Sequence, residues 1–94
     1  MMNQQITQQL VNRIEEIIKE RGDNSATVFR QYGVDYISIS DVNCENGILE
    51  LSYDNGSINI PSYEIERWDE TVDQESNVTS IMVKAKYDTF EFDF

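Results

Sequence analysis

The sequence predicts an α+β fold in which an N-terminal amphipathic helix packs on one face of an antiparallel sheet of four to six strands. Two changes of pattern indicate this fold. Apolar residues recur at helical spacing over the first 22 residues, and they alternate with polar residues from Asp35 onward. With 94 residues, 39% of them hydrophobic, the chain has the size and composition of one folded domain, which we expect to span residues 1–94.

The N-terminal helix is predicted over residues 4–21. Its apolar stripe consists of residues spaced to share one helical face, namely Ile6, Leu10, Ile14 and Ile17. Gly22 then suits a left-handed cap at the helix C-terminus. A second, short helix is predicted over residues 25–32, because Ser25 is a good N-cap and Gly33 would end it. The β-branched and aromatic residues of that segment also permit a strand.

Three strands follow and form an antiparallel meander, at the start of a strand-rich region that spans residues 36–94. The predicted strands lie at residues 36–40, 48–53 and 57–60, where apolar and polar residues alternate. Asn46-Gly47 and Asn55-Gly56 separate them, and Asn-Gly is the strongest short hairpin signal because both turn residues adopt positive φ.

The last third of the chain contains one undecided segment and one predicted hairpin. Residues 62–72 suit either a strand or a helical turn, and residues 69–77 are acidic enough to form an exposed loop. A strand over residues 79–87 would bury Ile81, Val83, Ala85 and Tyr87. Phe90, Phe92 and Phe94 then alternate with Glu91 and Asp93 at the opposite parity, which predicts a turn around Asp88.

The composition argues against catalysis, so we expect a protein that is not an enzyme and has no cofactor and no metal site. The sequence contains no His, which removes the commonest general base and the commonest metal ligand. Its single Cys, Cys44, has no His partner and lies near Asp41 and Glu45, whose charges raise a thiol pKa. With no secretion signal and no apolar run of about 18 residues, the expected location is the cytoplasm, away from membranes.

The net charge of −11 is concentrated in the middle of the chain. Residues 35–75 hold eleven acidic residues and one basic residue. A field of one sign repels nucleic acid and anionic membranes and attracts basic proteins. The first functional hypothesis is therefore an acidic protein that binds and blocks a basic protein surface. The predicted contact residues are Glu64, Glu66, Asp69, Glu70, Asp73 and Glu75, with Trp68 as a buried anchor.

In size, charge and acidic middle, the chain resembles phage- and plasmid-encoded inhibitors that mimic DNA, anti-CRISPR proteins among them. This resemblance implies a phosphate-mimicking inhibitor of a nucleic-acid-binding protein, with no direct contact to nucleic acid. The second functional hypothesis is a self-associating accessory protein whose acidity serves only solubility. Its homodimer contact would be an edge strand formed by Phe90, Phe92 and Phe94. The same three residues also suit an ordinary core.

Overall fold

A computed structural model of the chain describes residues 2–94, with side chains described from Gln4 onward. One helix is followed by seven strands, and a 3₁₀ turn precedes both the third and the fifth strand. The elements are α1 (Met2–Arg21), β1 (Ser25–Arg30), β2 (Gly33–Asn43), β3 (Ile48–Tyr53), β4 (Gly56–Pro61), β5 (Ile65–Asp73), β6 (Val78–Ala85) and β7 (Thr89–Asp93).

The seven strands form one antiparallel sheet in the order β4-β3-β2-β1-β7-β6-β5. Strands β1 to β4 make a continuous meander. Strands β5 to β7 make a second meander, which joins the first where β7 pairs with β1. The two edges of the sheet are therefore β4 and β5, which follow one another in the chain.

The sheet is strongly curved, and its connections show why. The 3₁₀ turn Ser62–Glu64 is the entire link between the two edge strands, so the edges must approach each other at one end. Strand β2 contributes to the curvature through a bulge at Ser40, which separates the half paired with β1 from the half paired with β3. A hydrogen bond from the Lys86 amide to the Glu64 carbonyl, 2.8 Å long, ties this link to the end of β6, the strand that pairs with β5.

Helix α1 lies on the concave face and buries its predicted stripe there. Leu10 and Ile14 are fully buried, and Ile17 is 2% exposed. Gly22 has φ +64°, and its amide donates to the Ile18 carbonyl at 2.9 Å, as expected for a left-handed C-terminal cap. The predicted helix and its end at Arg21 are confirmed.

The predicted meander is also confirmed, with β3 matching residues 48–53. Ile37, Ile39, Leu49 and Leu51 all point into the core. Asn46 and Gly47 adopt φ values of 58° and 72° between β2 and β3. Two successive positive φ values are what Asn-Gly supplies at low cost, which is why this dipeptide marks the turn.

The expected number of strands, four to six, is wrong, because residues 25–32 do not form a helix. They contribute β1, which pairs with β2 on one side and β7 on the other. Its alternating residues Ala26 and Val28 are 6% and 0% exposed. Two hydrogen-bonded neighbours and a buried face outweigh the local capping signal on which the helix prediction rested.

The undecided segment, residues 62–72, becomes a 3₁₀ turn followed by strand β5. A bulge at Glu66 adds one residue between Ile65 and Arg67, which shifts the parity of the strand. Ile65 and Trp68 therefore both face the helix, three residues apart, and this spacing imitates a helical turn in the sequence. The predicted loop 69–77 is correspondingly too long, since β5 continues to Asp73.

The predicted hairpin between residues 79–87 and 90–94 exists, but its second strand is not at an edge. Strand β7 lies between β1 and β6, and Phe90 and Phe92 are 7% and 1% exposed. The expected edge strand of Phe90, Phe92 and Phe94 is wrong, because β7 pairs with both β1 and β6. Phe90 and Phe92 are buried on the concave face, and Phe94 is half-buried against the core. Tyr87 is also misplaced by the sequence pattern: β6 ends at Ala85, and Tyr87 is 72% exposed.

Candidate functional site

The predicted partner-binding residues of β5 are divided by the sheet between its two faces. Glu70 points toward the helix, where the Arg13 guanidinium donates from Nε and Nη2 to its two carboxylate oxygens at 2.7 and 2.8 Å. The Arg13 side chain also approaches Glu16 at 3.2 Å and Glu20 at 3.7 Å. The two partners are 28% and 23% exposed, so this ion pair is a partly buried clamp between α1 and β5.

The electrostatics of this clamp favour a structural role for Glu70. The hydrogen bond from Arg13 is the main reason that the pKa of Glu70 lies below its usual value. The same bond, reinforced by Glu70, Glu20 and Glu16 charges, raises the pKa of Arg13. A carboxylate whose oxygens already accept two charged hydrogen bonds gains little from a second cation, so Glu70 holds the fold together.

Trp68 and Asp69 lie on opposite faces of β5. Trp68 is half-buried and packs against the hydrophobic core. Asp69 points outward, 3.9 Å from Arg67, and both side chains are about 70% exposed. An ion pair this long and this exposed contributes little.

Asp73 and Glu75 belong to the turn between β5 and β6. Asp73 Oδ1 accepts the Glu75 amide at 3.0 Å and the Ser76 amide at 3.5 Å. The hydrogen bond from the Glu75 backbone is the main reason that the pKa of Asp73 is lowered. Asp73 therefore closes the turn, while the Glu75 side chain extends into solvent.

A larger group of acidic residues lies in β2 and β3, in the turns that flank β3, and in the first residues of β5 with the turn before it. No Lys or Arg occurs between Gln31 and Glu66, a stretch with seven acidic residues. One of these, Asp35, lies 3.6 Å from Arg30. The other six form no salt bridge within the described residues, and we call them the anionic end: Asp41, Glu45, Glu50, Asp54, Glu64 and Glu66.

The register of the strands places part of the anionic end on the convex side. Asp41 lies opposite Ser52, and Asn43 lies opposite Glu50, so the two carboxylates project from neighbouring strands on one face. Five of the six residues are exposed, and Glu64 is half-buried. Lys19 of the helix lines the same shallow cleft as Asp41, of about 250 Å³, but makes no ion pair with it among the described residues.

Only Glu64 and Glu66 are shared by the anionic end and the contact residues predicted from sequence. Asp41, Glu45, Glu50 and Asp54 were missing from that prediction. The signal that could have found them is the absence of any cation over residues 31–66, which is visible without a structure. The prediction was based instead on the high density of acidic residues over residues 64–75. Two of those carboxylates, Glu70 and Asp69, lie close to Arg13 and Arg67.

Cys44 has the character of an unreactive thiol. Its Sγ donates to Gln8 Oε1 at 3.0 Å. Burial raises the pKa of Cys44, and the charges of Glu15 and Glu45 raise it further. The expected direction of this shift is confirmed, with burial as its first cause.

A cleft of about 590 Å³ lies beside the C-terminus of α1. There Arg21 Nη2 donates to the Asn77 carbonyl at 2.6 Å and to Thr79 Oγ1 at 3.1 Å, so its guanidinium is used to hold the helix to the turn after β5. In the part of the chain with described side chains, no three His, Cys, Asp or Glu residues are placed to hold a metal ion.

The described helix is neither long nor apolar enough to span a membrane. Comparison of the chain with protein-family models, with curated proteins and with solved structures gives no significant match.

Proposed function

We propose that this chain is a non-enzymatic interaction protein that binds, and thereby blocks, a basic surface on another protein. The observation that supports the proposal is the anionic end: six carboxylates, free of salt bridges among the described residues, on a stretch of 36 residues without a cation. A rigid sheet holds two of them, Asp41 and Glu50, on one face. Their charges are therefore positioned before a partner arrives.

Charge of this kind acts first on the encounter between two proteins. At about 0.1 M salt the Debye length is about 10 Å, so neighbouring carboxylates of the anionic end reinforce one another at the approach of a partner. A basic protein is attracted and oriented, while nucleic acid and anionic membranes are repelled. These effects weaken as salt rises, which makes the proposal testable by salt dependence.

The density of charge favours a compact basic patch as the target over a channel made for duplex DNA. The longest dimension of the molecule is 36 Å. A duplex of that length carries about 21 phosphate charges, at roughly one per 1.7 Å. The chain has 18 acidic residues distributed over all its faces. We therefore propose recognition of a discrete cluster of Lys and Arg, with phosphate mimicry as the narrower alternative.

The test is affinity capture from a lysate of the source cell with a salt gradient, followed by a direct titration of the purified partner. The test variant combines Asp41→Asn, Glu50→Gln, Glu64→Gln and Glu66→Gln. The control variant removes the same number of charges from exposed positions elsewhere, through Glu15→Gln, Glu16→Gln, Glu20→Gln and Glu75→Gln. Both variants have the same net charge and differ in where the charges are removed; the control also removes the Arg13 contacts with Glu16 and Glu20.

We expect a basic protein that elutes at moderate salt, and whose affinity falls at least tenfold with the test variant and much less with the control. Equal weakening by the two variants would mean that net charge matters and the anionic end does not. A partner that stays bound in half-molar salt, and that binds the test variant as well as the native chain, would refute the proposal.

A further inference from the structure

The convex face of the sheet exposes several large apolar side chains over strands β2, β1, β7 and β6. Four large apolar or aromatic side chains project from it: Phe29, Val34, Tyr36 and Met82, with exposed fractions of 38%, 49%, 80% and 44%. The helix packs on the opposite, concave face, so no element of the described chain covers these side chains. Exposed apolar groups concentrated on one face are typical of an interaction surface.

The strand register places these side chains around two carboxylates. Phe29 lies beside Val34 on one side and Glu91 on the other, and Glu91 lies beside Met82. In the adjacent row, Thr27 lies between Tyr36 and Asp93. Glu91 and Asp93 thus occupy the middle of this face, on the interior strand β7.

This carboxylate pair lacks a positive partner. Asp93 Oδ1 is buried and has no hydrogen-bond donor among the described residues. The pKa of Glu91 is raised, first by burial and then by the hydrogen bond and the charge of Asp93. Lys84 is one row away on β6 and forms no salt bridge with Glu91 in the described part of the chain. When both groups are ionised, the pair contains no hydrogen-bond donor, so a cation would satisfy both.

We propose that this convex face docks an extended protein segment that places one Arg or Lys on Glu91 and Asp93, with apolar side chains on either side of it. Arg suits the pair best, because its planar guanidinium can donate to two carboxylates at once. The flanking apolar side chains would cover Phe29, Val34 and Met82 on either side of the pair. This surface is distinct from the anionic end, and the proposal does not depend on that end.

The charge and the area of this face favour a short basic segment over the other partners that an apolar face could bind. A second copy would bring its own acidic surface against Glu91 and Asp93, and an anionic membrane would meet the same repulsion. The footprint of four strands of five to six residues is roughly 350 Å², from strand spacings of about 4.8 Å and rises of about 3.4 Å. Stable dimers need about 800 Å² per partner, so the area fits a short segment.

The test is a selection of random peptides displayed on phage, with the full chain as bait. We expect the enriched peptides to share an Arg or Lys flanked by apolar residues. Synthetic versions should bind the E91Q/D93N variant about 10- to 100-fold more weakly. They should bind a D41N/E50Q variant, whose changed residues lie on the convex side of β2 and β3, as tightly as the native chain.

A second variant, Tyr36→Ser, changes an 80% exposed ring and leaves the carboxylates intact. We expect it to weaken the same peptides severalfold, and thermal unfolding of each variant checks that the fold persists. Enriched peptides without a basic residue would overturn the proposal, as would equal binding to native chain and E91Q/D93N. Binding that is lost only in D41N/E50Q would overturn it too, while supporting the function proposed for the anionic end.

Discussion

Replacing Glu70 by Gln separates a structural carboxylate from a partner-binding one. The change removes the charge that accepts two hydrogen bonds from Arg13 at 2.7 and 2.8 Å. Hydrogen bonds to charged groups contribute about 1.5–3 kcal/mol when buried, and exposed ion pairs about 0.2–1 kcal/mol. This pair is 28% and 23% exposed, and Arg13 keeps Glu16 and Glu20 as neighbours. We therefore expect a loss of about 1–2 kcal/mol of unfolding free energy, or roughly 4–16 °C in Tm.

The loss should also depend on pH in a defined direction. The pKa of Glu70 is lowered in the folded chain, so the carboxylate stabilises the fold fully above the pKa of an unfolded Glu, about 4.3. That contribution disappears as the pH falls through the lower, folded pKa. The difference between native chain and Glu70→Gln should therefore be largest near pH 7 and shrink below pH 4.

Urea unfolding, followed by the fluorescence of the single Trp, measures this directly, because half-buried Trp68 lies on the same strand and face. Glu66→Gln is the matched control: it lies on β5, is exposed, and makes no salt bridge within the described residues. It should change stability by no more than about 0.5 kcal/mol. A loss for Glu70→Gln no larger than the control, or one that persists unchanged at pH 3, would refute the clamp.

Three further predictions test other parts of the structure. Phe92→Ala should cost about 3–5 kcal/mol in denaturant unfolding because the ring is buried on an interior strand, whereas Tyr87→Ala should cost less than about 0.5 kcal/mol. Similar losses for the two variants would contradict the interior position of β7. Gly22→Ala should lower the free energy of unfolding by about 1 kcal/mol, because Gly22 has φ +64°. Thermal circular dichroism measures this loss, and an unchanged Tm would argue against the left-handed cap. Cys44 should react with iodoacetamide at pH 7.5 more slowly than glutathione does, because burial raises the pKa of the Cys44 thiol. A faster reaction would show that this thiol is activated.

Much of this fold follows from local patterns. The helix, its glycine cap and the meander of β2 to β4 depend on spacing and turn chemistry within a few residues of one another. The same holds for the alternation that buries Leu49, Leu51, Ile81 and Val83. The absence of cations over residues 31–66, on which the proposed function rests, is likewise a property of the sequence.

Other features depend on partners that are distant in the chain. Strand β1 is a strand because β2 and β7 both pair with it, and β7 reaches it from more than 60 residues away, as in the pairing of Val28 with Phe92. That pairing also makes the expected edge strand of residues 90–94 an interior strand of the sheet. Neither its pairing partner nor its place in the order of strands is encoded in its own alternation.

Local composition and turn residues thus determined which segments could become helix or strand, and where the charge lies along the chain. The order of the strands, the bulge at Glu66 and the side of the sheet that the helix covers arise from packing between distant segments. A one-residue bulge decided that Glu70 faces Arg13 and that Trp68 faces the core, since each added residue exchanges the two faces of a strand. The convex face with Glu91 and Asp93 at its centre exists only because seven strands, distant in sequence, curve around one helix.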